Sequence, residues 1–246
     1  MIVARILRTL FGAPVILAMM AVCATLIWLG GEREFSERVL RFWCRIVLAV
    51  AGARVLTRRL APLDPLRSYV FVSNHTSNLD VPAILAVTPT PLRFIAKREL
   101  QFVPFFGPAA RRMGHVFIDR KDTHRAAKAI RARIGRGLDR GVALFFFAEG
   151  TRSTTDELLP FKKGAAVAAL DTQLDVVPIA VAGAARVMLP KGFSWFRPGP
   201  IAVVFGAPIP IAGFSYDTRD ALVAAQRAAV EATLRDAKAL LATAVQ

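Results

Sequence analysis

His75 and Asp80, five residues apart in Asn74-His75-Thr76-Ser77-Asn78-Leu79-Asp80, are the pair best able to move a proton. An imidazole with an ordinary pKa of about 6.5 takes and returns a proton near neutral pH. A carboxylate on its far nitrogen would fix the tautomer and stabilise the imidazolium that forms. Along a straight helix five residues turn through roughly 140°, so the two meet only if His75 ends a strand and Asp80 comes round a tight turn. The flanks allow this. Tyr69-Val70-Phe71-Val72 reads as a strand, Ser73, Ser77 and Asn78 suit a turn, and Val81-Pro82-Ala83-Ile84-Leu85 begins a helix. The competing reading makes Asp80 the N-cap of that helix and His75 a loop residue.

A second constellation follows the strand Val142–Phe147, which runs into Ala148-Glu149-Gly150-Thr151-Arg152-Ser153. It sets a carboxylate and a guanidinium at a strand's C-terminal edge, where α/β sheets bind ligands. Gly150 permits a sharp turn, and Arg152 can grip a phosphate through two parallel hydrogen bonds. Ordinary turn chemistry is the alternative. Phe117-Ile118-Asp119-Arg120 ends another strand in a charged pair, Lys97 follows Arg93-Phe94-Ile95-Ala96, and Lys162-Lys163-Gly164 adds cations after Phe161. Pro178, within Val177-Pro178-Ile179, marks an edge strand or a bulge. The sequence has no G-x-S-x-G elbow and no Walker loop, and Gly135–Gly141 lacks dinucleotide-fingerprint spacing. Cys23 and Cys44 form no CxxC, and His75, His115 and His124 show no metal-ligand spacing, so neither a thiol nucleophile nor a metal site is expected.

The elements that would position these groups alternate. Strands are expected at Tyr69–Ser73, Leu92–Ala96, His115–Asp119, Val142–Phe147, Asp175–Ala182 and Ile201–Phe205, and helices at Val81–Val87, Phe105–Met113, Thr123–Leu138, Lys163–Leu170 and Thr218–Ala244. This pattern predicts a single α/β sandwich over residues 57–246 with a largely buried sheet. The last helix carries Val223, Val230, Leu234 and Leu241 as one stripe. The helix over 123–138 turns Arg125, Lys128, Arg131, Arg133 and Arg136 away from Ile130, Ile134 and Leu138. That basic face is either solvated or a contact for membrane or an acidic carrier.

Hydrophobic residues make up 54% of the 246, yet the net charge is +15, and the mean hydropathy is +0.45. High hydrophobicity with strong basicity points to an anionic lipid surface, and no nucleic-acid-binding motif accompanies it. No charged residue lies between Arg8 and Glu32, and Leu10–Leu29 is a 20-residue apolar run. As a helix it would be about 30 Å long, enough to cross a bilayer core. A cleaved signal peptide is the alternative. In the next segment Arg38, Arg41 and Arg45 share one helical face and Val39, Trp43, Ile46, Val47 and Val50 the other, as in an interfacial helix. Full crossing by the first helix would export a basic domain, and Gly12 or Pro14 could bend that helix. Residues 1–56 are therefore expected to form a two-helix anchor that enters one leaflet and returns. A cut after residue 56 would leave every expected strand intact, with the catalytic domain on the cytoplasmic face of the inner membrane.

In order, four blocks resemble the glycerolipid acyltransferase family that includes lysophosphatidate acyltransferases. They are Asn74–Asp80, Gly114-His115-Val116-Phe117-Ile118-Asp119-Arg120, Phe147–Ser153 and Val177-Pro178-Ile179. Ala148 departs from the proline usual in that family, which loosens the turn before Glu149 but removes no functional group. The resemblance implies acyl transfer from a CoA or acyl-carrier-protein thioester to a lysophospholipid hydroxyl, most simply that of 1-acylglycerol-3-phosphate. It implies His75 as general base and Asp80 as its orienting partner. Arg120, Glu149, Gly150, Thr151, Arg152 and Lys97 would line the acceptor site. No metal, cofactor or covalent intermediate is called for, and the partners would be membrane lipid and the thioester donor. Another lysolipid such as lyso-ornithine lipid, or transacylation between phospholipids, keeps the same fold. A non-catalytic membrane-binding protein would have no use for the His75–Asp80 pair. Oligomeric state is not legible.

Overall fold

The computed structural model of the chain describes residues 2–30, 32–119, 130, 132, 141–155, 157–190 and 195–244. At its centre is a sheet of seven strands, β1 (Ala53–Arg59), β2 (Val70–Ser73), β3 (Leu92–Lys97), β4 (Val116–Ile118), β5 (Ala143–Phe147), β6 (Val176–Ala182) and β7 (Gly199–Phe205). Their order is β1-β7-β6-β2-β5-β3-β4. Strands β2 to β6 run parallel, β7 is antiparallel to β6, and β1 lies parallel to β7 on the edge. The mixed α/β architecture expected from the alternation is thus present, with one strand more than the sequence pattern revealed. That strand, β1, carries Arg54, Arg58 and Arg59 and is mostly exposed or half-buried, so it lacks the apolar run that marks its neighbours.

Helices cover both faces. On one, α2 (Arg33–Ala51) and α3 (Asp80–Val87) bury Cys44, Val47, Leu48, Ile84 and Leu85 against Phe71, Phe145 and Val203. On the other, α5 (Gly164–Thr172) and α7 (Arg219–Thr243) set Ala165, Ala169, Leu222 and Val230 on Val70, Val72, Leu144 and Phe146. Adjacent residues of β2 and β5 thus point to opposite faces, as the period of two requires. Between them in sequence come α4 (Phe106–Arg112) and the single-turn α6 (Ala184–Val187). The expected basic helix over 123–138 lies outside the described residues, apart from Ile130 and Ala132.

The structure corrects the picture of the second segment. Helix α2 is not laid with its apolar side in lipid. That side closes the core, with Cys44 and Ala51 fully buried. A buried ion pair from Glu37 to Arg93 of β3, at 2.6 Å, fixes α2 further. Arg41, expected at lipid head groups with Arg38 and Arg45, instead donates to the Thr88 carbonyl at 2.9 Å. The first segment forms one unbroken helix, α1 (Ile2–Leu29), which includes Pro14. Gly12 serves contact rather than a bend, since a Cβ there would sit 2.3 Å from a Val50 methyl of α2. One side of α1 rests on the domain: Thr9 accepts the Phe196 N–H at 2.8 Å, and Ala24 and Ile27 pack on Ala109 and Met113. Its other side leaves Leu10, Phe11, Leu17, Leu26, Trp28 and Leu29 exposed. By length and composition α1 can cross a membrane.

Pro178 is not on an edge strand, because β6 lies between β7 and β2. The bulge alternative fits. Beyond the Ile179–Phe205 pair the β6–β7 ladder stops, and the next bridge joins Val176 to Ile209. Two residues thus face three where proline's missing N–H would have been required.

Candidate active site

Strand β2 delivers His75 to the middle of the sheet's C-terminal edge. Asn74 fastens that end: its side-chain amide donates to the Val181 carbonyl and accepts the Val181 N–H, both at 2.9 Å, extending the ladder to β6 through a side chain. The His75 backbone is held on both sides. Its N–H donates to Glu149 Oε1 at 2.9 Å, and its carbonyl accepts the Ser153 N–H at 2.8 Å. The ring of Phe147, at the end of β5, stacks on the imidazole with centroids 3.8 Å apart and planes within 13°.

The turn from His75 to Asp80 closes tightly enough for the side chains to meet. His75 Nδ1 lies 2.8 Å from Asp80 Oδ2. The same oxygen accepts the N–H groups of Thr76 at 2.6 Å and Ser77 at 2.8 Å. Asp80 therefore faces back into the turn that precedes it, and it caps no helical N–H ahead of it. Its side chain is fully buried and that of His75 is 13% exposed. A buried oxygen that accepts two N–H groups behaves as a carboxylate, so Nδ1 carries the proton and donates to it. The lone pair of His75 then resides on Nε2, free to act as a base.

Glu149 is 2% exposed, and its second oxygen accepts the Leu159 N–H at 3.0 Å. Its carboxylate thus ties the His75 backbone to the loop before α5. Burial pushes its carboxyl above the usual range, and the two backbone N–H donors work against that rise. Gly150 has a φ of 70°, the left-handed conformation that a side chain would strain. Thr151 is exposed. Arg152 reaches back across the edge and donates to Asn78 Oδ1 at 2.8 Å. Lys97 closes β3, two strands from β2, with its ammonium 2.9 Å from Glu99. Arg120 lies outside the described residues. The structure thus brings His75, Asp80, Glu149, Gly150 and Arg152 together and sets Lys97 farther along the same edge. Among the described residues no group of three or more His, Cys, Asp or Glu is arranged to hold a metal ion.

Two contributors were not singled out from the sequence. In the sequence Phe147 is the end of a strand and the first residue of the Phe147–Ser153 block, and its spacing of two from Phe145 is the available signal for which face it takes. Asn74 stood in the motif without a role, because its partner is 107 residues away.

A family profile described as Acyltransferase matches residues 53–182, from the first residue of β1 to the last of β6. The 1-acyl-sn-glycerol-3-phosphate acyltransferase alpha of Homo sapiens is 33% identical over 192 residues, covering 78% of this chain and 68% of the human protein. This chain belongs to the acyltransferase family. The acyltransferase is also 27% identical over 180 residues to the 1-acyl-sn-glycerol-3-phosphate acyltransferase of Salmonella typhimurium, covering 73% and 72% of the two chains. Its fold is that of the 1-acyl-sn-glycerophosphate (LPA) acyltransferase PlsC from Thermotoga maritima, whose crystal structure superposes with a TM-score of 0.76 at 24% identity, over 97% and 96% of the chains. All the described candidate site residues of this acyltransferase fall within the matched span.

Proposed function

We propose that this acyltransferase moves a fatty acyl group from a CoA or acyl-carrier-protein thioester to the free hydroxyl of 1-acylglycerol-3-phosphate, giving phosphatidic acid. The observation that carries the reading is the 2.8 Å contact between His75 Nδ1 and the buried Asp80 carboxylate, in a chain whose relatives bear that activity in their names. His75 Nε2 takes the hydroxyl proton as the acceptor oxygen attacks the thioester carbonyl. The new C–O bond forms, the C–S bond breaks, and the proton passes from the imidazolium to the departing thiolate. Asp80 stabilises the imidazolium meanwhile. Positioning and general-base help supply the rate, the latter typically about 10²–10⁴-fold.

Arg152, with Arg120 and Lys97, holds the acceptor phosphate. Glu149 acts as a positioning residue through the His75 backbone, and Phe147 fixes the plane of the ring. The exposed apolar side of α1 sits in the membrane, and the basic domain stays on the cytoplasmic side. The test is acylation of lysophosphatidate, lyso-ornithine lipid and other lysolipids by purified enzyme with acyl-CoA and acyl-carrier-protein donors. Lysophosphatidate should be the fastest acceptor and His75→Ala should be inactive. Faster turnover of phosphate-free acceptors would overturn the acceptor assignment, and near-normal turnover by folded His75→Ala would overturn the mechanism.

A further inference from the structure

A cavity of about 600 Å³ opens where β6 ends, β7 begins and α7 passes over them. Its inner wall includes Asn74, Thr76 and Glu149, the residues around His75. Around it stand Arg186 of α6, Arg197 of the segment before β7 and Lys238 of α7, with Glu157 as an opposing carboxylate. Three cations thus face two carboxylates, Glu157 and the buried Glu149, and the lining keeps a positive balance. Its three cations come from three separate elements that only the fold assembles, and all lie beyond the span that the family profile matches.

The position relative to His75 matters most. In the order β7-β6-β2-β5-β3, β2 delivers His75 from the middle. Arg152 and Lys97 follow β5 and β3 on one side, while Arg186 and Arg197 flank β6 and β7 on the other. A transfer in which both substrates carry phosphate needs an anion site on each side of the base. A volume of this size suits an extended small-molecule arm, since such ligands occupy clefts of about 300–1,000 Å³, whereas a glycerol phosphate head is much smaller.

We propose that this cavity receives the phosphate-bearing arm of the thioester donor, the phosphopantetheine chain common to CoA and acyl carrier protein, with Arg186, Arg197 and Lys238 binding its phosphate. The proposal rests on the acyl-transfer reading above.

The test is an Arg186→Glu/Arg197→Glu double variant, with Arg235→Glu as a control for reversal of a surface charge. Arg235 is an exposed α7 residue (72% side-chain exposure) that does not line the cavity. The double variant should raise the donor KM at least tenfold while leaving the acceptor KM within twofold, and the control should change neither. Inhibition competitive with donor by 4′-phosphopantetheine, and a KM rise for both donors, would place the shared phosphate here. Inhibition by adenosine 3′,5′-bisphosphate, with the rise confined to acyl-CoA, would place CoA's nucleotide phosphates here. A rise in acceptor KM instead, equal effects in the control, or no effect overturns the proposal. Lys238→Glu serves in place of the double variant should the latter not fold. Direct CoA titration separates the two readings. Wild-type enzyme whose CoA binding is weakened by the double variant, yet which acylates no lysolipid, refutes the acceptor reading alone. Wild-type enzyme that acylates lysophosphatidate and keeps both KM values in the double variant refutes the cavity alone.

Discussion

Replacing Asp80 by Asn tests the proposed mechanism most sharply, because it removes a charge and almost nothing else. An amide oxygen at the Oδ2 position can still accept the N–H groups of His75, Thr76 and Ser77, which lie 2.8, 2.6 and 2.8 Å away in the native enzyme. The turn and the Nδ1–H tautomer therefore survive. What is lost is the attraction between the carboxylate and the imidazolium that forms as the acceptor hydroxyl gives up its proton. Two unit charges about 4 Å apart at an effective dielectric of about 20 attract by about 4 kcal/mol. Removing that term from the transition state costs about 10³-fold in rate. The assay is initial-rate acyl transfer at saturating donor and acceptor, with circular dichroism melting as a check on folding. The kcat should fall by about three orders of magnitude, with both KM values nearly unchanged, since the charge acts only once the proton has moved. A folded Asp80→Asn enzyme within tenfold of wild type would refute the idea that Asp80 stabilises a protonated His75.

Glu149→Gln leaves one acceptor oxygen for two N–H donors, a loss worth about 1–3 kcal/mol at a buried site; kcat should fall about 10–100-fold with the acceptor KM little changed, and a rise confined to the acceptor KM would mean that Glu149 touches the acceptor instead. His115 accepts the Phe94 N–H through Nδ1 at 2.9 Å, and burial, reinforced by the nearby Arg93 charge, holds its pKa down to about 3. Protonation therefore favours the unfolded chain, where the ordinary value of about 6.5 returns. The contribution is present above that value and is lost as pH falls toward 3. Unfolding free energy from denaturant titration should drop by about 1.5 kcal/mol between pH 6.5 and 5, less steeply in His115→Gln, and equal slopes in the two proteins would refute the assignment. Deleting residues 1–56 should abolish cooperative unfolding, because it strips Cys44, Val47 and Leu48 from the core and over half of β1 from the sheet; buried side chains of this kind contribute about 1.5–3 kcal/mol each. A soluble, cooperatively melting fragment 57–246 would show that α2 is dispensable.

The heart of the site is legible in the sequence as one of two local readings, a His75–Asp80 pair or an Asp80 helix cap, and the four ordered blocks favour the pair. A strand-forming run, turn-forming Ser77 and Asn78 and a helix start allow the six residues from His75 to Asp80 to close on themselves, and the tertiary contacts of Asn74 and Glu149 hold the turn in place. Also legible are the strands β2, β3, β5 and β6, whose apolar runs reflect burial on both faces, and α7, whose stripe at helical spacing marks the side set on the sheet. What the sequence left undecided depends on partners distant along the chain. The apolar side of α2 suits a bilayer or a protein core equally well, and only the presence of Phe71, Phe145 and Val203 beneath it settles the matter. Strand β1 exists because β7 offers it a ladder, not because Ala53–Arg59 has a pattern of its own. Glu149 reads as a ligand-binding carboxylate until the fold brings the N–H groups of His75 and Leu159 to its two oxygens. Likewise Arg186, Arg197 and Lys238 are ordinary surface cations in sequence, and come to line one cavity with Asn74, Thr76 and Glu149 only because β6, β7 and α7 meet at one end of the sheet. Side-chain type and short spacing specify a local turn, whereas the face a helix buries and the company a charge keeps are set by long-range packing.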